Sequence, residues 1–354
     1  MSLVPAHDPE LPGRPPLVLV RVGPFSFRAN LRVVALVAGA AALLAALALW
    51  GLTLGDVRFS WSEIAQAIAG QGPPSATFIV RDLRLPRILA ALLVGPMLAM
   101  AGAIFQGLVR NPLVAPDVIG INAGASAAAV LWIVTRKPPA LVPVAAFLGA
   151  VAAAAAIYLL TWRGRIATGR LIVVGIGVNA LLTAATTFLL VQARIQDAGR
   201  AVLWMTGSLY AADWADVRLL AAALAVLGPL GATLMPALRV LQLGDLGAAA
   251  LGMRVERRRL ALLLVGCALA AVAVSVAGPV GFVALMVPHA ARLLAGPMTG
   301  GVFLFTGLLG GLLLLGADLV AQHGLPASLP VGVVTAALGA PYFLAVLYRS
   351  GAKG

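Results

Sequence analysis

The sequence predicts an all-α, polytopic membrane protein with about ten transmembrane helices. Three observations carry that expectation. Of the 354 residues, 62% belong to the hydrophobic set and only 10% are charged, against about 25% charged in ordinary soluble domains. Aromatic residues are 6%, so the apolar excess is Ala, Leu, Val and Gly. Apolar runs of about 20 residues, the length a helix needs to cross a bilayer core, recur along the chain. A disordered chain is excluded, because disorder needs low hydrophobicity and high charge. A soluble globule is disfavoured, because so few charges cannot cover that much apolar surface.

The runs follow in order. The first, 33–54, carries no charge. Next come 88–108, 116–134, 141–161, 171–192 and 217–237. The apolar stretch from 260 to Arg292 is too long for one crossing, and Gly278-Pro279 marks a break, so it divides into 260–277 and 279–295. Two more runs, 301–321 and 331–348, complete ten. Residues 1–32 are rich in proline and arginine, and no small-residue cleavage site follows the first run. They are therefore not read as a secretory signal but as a mostly disordered cytoplasmic tail. The membrane domain is 33–348, and 349–354 form a short second tail.

Orientation follows from the basic residues. With the N-terminus inside, sixteen of the 25 Lys and Arg fall on the inner side and nine outside. That bias places both termini in the cytoplasm. Arg81, Arg84 and Arg87 are the exception, clustered at the outer end of the second span. The net charge of +13 does not point to nucleic acid, because the basic residues lie between apolar runs and not on one amphipathic face. The single cysteine, Cys267, excludes an intrachain disulfide and a cysteine metal cluster.

The segment AGAIFQGLVRNP from Ala101 is echoed by AGPVGFVALMVP from Ala277, with Ala101/Ala277, Gly102/Gly278 and Pro112/Pro288 at one offset. A genuine echo relates spans 2–5 to spans 7–10 as an inverted repeat, a common transporter design. Chance agreement in an Ala/Gly-rich chain is the alternative.

No G-x-x-x-x-G-K-[ST] string occurs, so no P-loop for ATP is expected. His7, His289 and His323 show no metal-ligand spacing. Few acids interrupt the spans, which disfavours a relay of buried carboxylates. A large pore without its own energy source calls for a partner that supplies the energy.

Five features stand out. Arg84 and Arg87, three apart in RDLRLPR, share a helix face. They read as interfacial anchors or as a docking site for an acidic partner outside. Asn111 and Pro112 end one helix and open a turn. Residues 243–259 are the longest inner stretch between spans. Leu243, Leu246, Ala250 and Leu251 there form one face of a short helix that Gly252 ends. Such an apolar face suits a cytoplasmic partner, while Arg257, Arg258 and Arg259 read as inside-positive flank. His289 and Arg292 lie three apart near the inner surface, and His289 reads as a hydrogen-bonding residue at a helix terminus. Asp318, late in the ninth span, is expected to pair with a neighbouring helix. The tenth run begins LPVGVVTAALGAP and has the small residues of a helix beside a path.

These strings together resemble the permease subunit of type II ABC importers, the family of the vitamin B12, haem and ferric-siderophore permeases. The matching strings are RLPR at 84–87, RNPLVAPDVIG at 110–120, WMTGSL at 204–209, LGDLGAAALG at 243–252, GPVGFVALMVPHAAR at 278–292 and LPVGVVTAALGAPYF at 329–343. The resemblance implies ten helices per subunit, a homodimer or heterodimer of permeases, and a path at the dimer axis lined largely by the fifth and tenth helices. It implies two ATPase subunits, which bind the ATP and Mg, docked on short cytoplasmic helices at about 242–254. That segment includes Leu243, Gly244, Asp245, Leu246, Leu251 and Gly252. A periplasmic binding protein would meet Arg84 and Arg87, and Gln322 stands where the vitamin B12 permease has a third arginine. Path candidates on the fifth helix are Asn179, Thr183, Thr186 and Thr187, with Thr335 on the tenth. Asn111, Pro112, Pro288, His289, Arg292 and Asp318 are structural or gating candidates. No catalytic residue, metal or cofactor is expected in this chain. The inner membrane of a bacterium is the implied location. RAVLWMTGSLYAADW at 200–214 looks most like ferric-siderophore permeases, with haem and cobalamin as alternatives. A proton-coupled secondary transporter is the rival from another class.

Overall fold

The computed structural model describes residues 2–5, 17–22, 25–116, 120–162, 168–324 and 326–351. The regular elements described in its membrane domain are all helices, as expected. The segment ahead of it differs from expectation. Strands Ser2–Pro5 (β1), Leu17–Val22 (β2) and Phe25–Asn30 (β3) pair antiparallel in the order β1-β2-β3. Alternation in LVLVRV and FSFRAN around Gly23-Pro24 is a hairpin pattern, and the tail reading passed over it.

Helix α1 (Leu31–Thr53) starts where the Asn30 side chain accepts from Arg32 N at 3.0 Å. It is mostly exposed, as a lipid-facing helix is, and it packs along α13 (Gly300–His323). The segment after α1 holds α2 (Trp61–Ile68), capped by a Ser60–Glu63 capping box, and α3 (Pro74–Thr77). A π-helical stretch, Phe78–Arg84, then leads into α4 (Leu85–Val109).

The chain continues through α5 (Ile121–Val134), α6 (Val142–Thr161), α7 (Thr168–Gln192), α8 (Ile195–Met205) and α9 (Trp214–Leu241). Next come α10 (Asp245–Ala250), α11 (Val255–Ala277), α12 (Val283–Ala295), α13 and α14 (Val331–Gly351). Among the described residues, seven helical segments are long and apolar enough to cross a membrane. Shorter apolar helices, α5, α12 and residues 331–346 of α14, account for the other three expected spans.

Two starts are later than expected, Ile121 against 116 and Val283 against 279. At the second, Gly278 (φ 67°) and Phe282 (φ 66°) are both left-handed, which stops one helix and delays the next. Thirteen residues of α12 rise only about 20 Å, short of a bilayer core of about 30 Å. Of the irregular residues 278–282, Gly278 and Val280 are buried and the other three half-buried.

Helix α4 is the centre of the bundle, with nearly all of its inner two-thirds buried. It packs on α13, α11, α9 and α12. The α4–α13 contact is backbone against backbone: a Cβ on Gly95 would stand 2.3 Å from Gly310 O, and one on Gly310 2.3 Å from Gly95 O. Lipid offers no hydrophobic drive between helices, so close approach of small residues supplies the packing. At the edge of the bundle, α7 buries only a narrow stripe that includes Leu171, Gly175 and Thr186, and leaves Val173, Ile176, Leu181, Phe188 and Val191 exposed.

The residues of the echo hold unlike positions. Gly102 is inside α4 while Gly278 follows α11, and Pro112 is in a turn while Pro288 is inside α12.

Candidate docking surfaces and translocation path

At the end of the bundle that the charge count places inside, α10 is set off by two left-handed glycines, Gly244 (φ 99°) and Gly252 (φ 76°). Between and beside them, Leu243, Leu246 and Leu251 are 67%, 89% and 66% exposed. The underside is polar. Asp245 accepts from Arg259 at 2.6 Å and faces Arg110 at 3.8 Å, and Arg259 also holds Glu256 at 3.0 Å. Arg259 is buried, so it braces α10 and is not the plain flanking charge the sequence suggested. The result is an apolar knob held outward by an ion-pair network.

At the opposite end, Arg84 donates to Leu52 O at 2.9 Å and to Val57 O at 2.7 Å, and its guanidinium lies 5.4 Å from the Phe59 ring. It ties down the segment that follows α1. Arg87 forks onto Asp318 at 2.9 and 2.8 Å, and Gln322 donates to the same carboxylate at 2.6 Å. Asp318 thus pairs with a neighbouring helix, as expected. Both guanidiniums assigned to an external partner are therefore engaged within the subunit. Their internal bonds explain two of the three arginines that break the inside-positive pattern. The third, Arg81, has an exposed side chain, and its carbonyl accepts from Trp214 Nε1 at 3.1 Å.

On α7, Asn179, Thr183 and Thr187 recur every four residues, the spacing of one helix face. Thr183 and Thr187 are exposed and Asn179 is half-buried. Thr186 and Thr335 differ from the path assignment. Both are buried and donate to their own helices, Thr186 to Leu182 O at 2.8 Å and Thr335 to Gly332 O at 3.1 Å. The approaches to α9, α12 and α14 converge through Ser208 N to Ala277 O (2.8 Å) and Gly332 N to Gly207 O (3.1 Å).

Asn111 makes the expected turn, accepting from Leu113 N at 2.9 Å. Residues 117–119 of that motif lie outside the described residues. Pro112, Leu113, Leu285, His289, Tyr342 and Phe343 border a small apolar cleft. His289 sits in the middle of α12 and not at its terminus, edge-on to Tyr342 with ring centroids 6.2 Å apart. Arg292 donates to Gln106 Oε1, and the Gln106 amide donates to Ala284 O and Leu285 O. Gln106 escaped the sequence reading. A lone amide in the apolar run AGAIFQGLV was the available signal, since a buried polar group needs a partner.

Residues 43–349 match the FecCD transport family. The chain belongs to the FecCD transport family. Over 307 residues it is 42% identical to the ferric enterobactin transport system permease FepG of Escherichia coli K12, covering 86% of this chain and 93% of that one. It is 40% identical over 333 residues to the achromobactin transport system permease CbrC of Dickeya dadantii, covering 93% and 95%. Among solved structures it is similar to an inward-facing metal-chelate type ABC transporter, with a TM-score of 0.81 and 27% identity, covering 89% of this chain and 99% of that one. The FecCD match takes in every candidate residue above, from Arg84 to Thr335. The described residues of this FecCD chain present an exposed leucine knob at one end, a face carrying Asn179, Thr183 and Thr187, and no grouping of His, Cys, Asp and Glu that could hold a metal.

Proposed function

We propose that this chain is the membrane-spanning permease subunit of an ATP-driven importer that moves a ferric-siderophore complex from periplasm to cytoplasm. The observation that carries the reading is the α10 knob: Leu246 on a short helix, with Leu243 and Leu251 at its two ends, all exposed and braced by a buried arginine, suits the groove of a soluble partner. That partner is an ATPase, which binds the ATP and Mg, one copy per permease. Two permease copies face each other through the bare sides of α7 and α14, and the cargo passes between them by alternating access. The Asn179–Thr183–Thr187 stripe offers neutral polar contacts, which let a bulky complex pass without holding it. Both termini lie in the cytoplasm of a bacterial cell, and the inner membrane holds the complex.

A periplasmic binding protein docks over the outer end. Arg84 is half-buried and keeps an edge toward that surface, and Arg87 with Gln322 shapes the surface from below through Asp318. The ferric-siderophore assignment draws on the enterobactin and achromobactin permeases to which the chain is similar.

Purification with its native ATPase and binding protein, followed by vesicle uptake, tests the reading. Uptake of ferric siderophore should need ATP and survive collapse of the proton gradient. Uptake of haem or cobalamin alone would reassign the cargo. Uptake by the chain alone under a pH gradient would favour a secondary transporter.

A further inference from the structure

Helix α12 carries a proline in its middle, Pro288. A proline has no backbone N–H, so the carbonyl four residues earlier loses its helical donor. That carbonyl is Ala284 O. It does not stay unpaired, because Gln106 Nε2 of α4 donates to it at 3.3 Å and to Leu285 O at 2.9 Å. Gly102, one turn earlier on α4, lets the helices close to this distance; a Cβ there would stand 1.9 Å from Ala284 O. The amide is itself oriented, because Arg292, one turn past Pro288, donates to its oxygen. A broken rung on one helix, a glycine and an amide on the other, and a cation that fixes the amide thus form one joint.

Helix α12 stands between the α4 scaffold and α14. On its far side Phe282 fills the space beside Gly339 of α14, where a Cβ would lie 2.2 Å from the phenylalanine, and His289 meets Tyr342. The position of α12 therefore bears on that of α14, which also packs along α13.

We infer that Gln106 is a positioning residue for transport: its amide replaces the backbone donor that Pro288 lacks, holds α12 to α4, and through α12 holds α14 at the path. This rests on the importer reading for its transport consequence, but not for the joint itself. Without the amide, α12 keeps its fold but loses its fixed seat, so ATP hydrolysis proceeds with less cargo moved per ATP.

The test is a double-mutant cycle between Gln106 and Pro288 in the full complex with its ATPase and binding protein. Q106L removes both donors. Q106E keeps an acceptor for Arg292 but cannot donate to the carbonyls. P288A restores an N–H to Ala284 O. With Pro288 present, either Gln106 variant should lower cargo moved per ATP about tenfold, the order expected when a buried acceptor loses its partner. Basal ATPase activity and subunit assembly should stay unchanged. In the P288A background Q106E, which keeps the Arg292 contact, should cost no more than about twofold, while Q106L should keep the part of its loss that comes from the stranded Arg292. Equal losses in both backgrounds overturn the proposal, as does a Q106E variant that transports like wild type. Should Q106L fail to insert, Q106E carries the comparison, since it retains the Arg292 contact. The cycle is also read on the melting temperature of the purified chain. If the wild-type complex takes up no cargo, the importer reading fails, and the melting cycle alone decides the joint. A melting loss equal in both backgrounds then overturns it, and a Q106E loss confined to the Pro288 background upholds it.

Discussion

Arg87 and Asp318 meet through two parallel bonds, at 2.9 and 2.8 Å, and so join α4 to α13 where both helices reach the end of the bundle assigned outside. Asp318 is fully buried and Arg87 is 14% exposed. A fork of this kind is strong because both bonds are charge-assisted and their geometry is matched. Breaking it is more costly than making it is favourable, because either partner alone is a buried charge.

Asp318→Leu should therefore destabilise the chain by about 3–5 kcal/mol, the usual loss when one member of a buried pair is removed. Arg87→Leu with Asp318→Leu should recover much of that loss. Melting of the detergent-solubilised protein measures both. An Asp318→Leu variant that melts like wild type would mean the pair carries no structural weight.

The two neighbouring arginines should separate by experiment. The Arg84 guanidinium holds Leu52 O and Val57 O, so Arg84→Glu sets a carboxylate against two carbonyls and should lower stability as well as binding-protein affinity. Arg81 is exposed. Arg81→Glu should change association rate and salt sensitivity alone, as rim charges do. Binding kinetics on reconstituted complexes, with melting run in parallel, distinguish the two. Equal melting and equal binding in the two variants would return Arg84 to a plain surface role.

Much of this architecture could be read from the chain because a bilayer imposes length. The ten apolar runs reappear as helices, with late starts at Ile121 and at Val283, the second where left-handed Gly278 and Phe282 reset the helix. The α10 knob was legible too, since its leucines fall on one face of a short element bounded by glycine. Pairings across long separations were not. Arg87 and Asp318 are 231 residues apart, and Gln106 and Arg292 are 186 apart. Their partners depend on which helices touch, which periodicity does not state. Arg259 misled for a related reason: it sits in a run of three arginines, and only packing shows which one turns inward.

The inner knob gives a cleaner test than the ion pairs. Leu246 is 89% exposed, so Leu246→Asp should leave folding and insertion untouched. In the complex it would bury a carboxylate in an apolar groove at a cost of a few kcal/mol. The ATPase should then be lost on purification while the permease dimer is retained. Full ATPase retention would place the docking surface elsewhere.

The path candidates can be sorted by adding bulk. Thr186 and Thr187 are adjacent on α7 and chemically identical, yet Thr186 is 3% exposed and Thr187 is exposed. Thr186→Trp has to force a ring into a packed stripe, and overpacking of that kind costs about 1–3 kcal/mol or more. It should lower expression and melting temperature before any transport is measured. Thr187→Trp and Thr183→Trp meet no such barrier in the single chain, and there the ring projects from the face that also carries Asn179. If that face borders the path, both variants should assemble normally, hydrolyse ATP and bind the binding protein, while uptake of a bulky ferric complex falls at least tenfold. Lipid facing predicts the opposite, because a tryptophan among acyl chains obstructs nothing. Uptake within twofold of wild type in both variants would move the path off this stripe, and the search would pass to the exposed residues of α14.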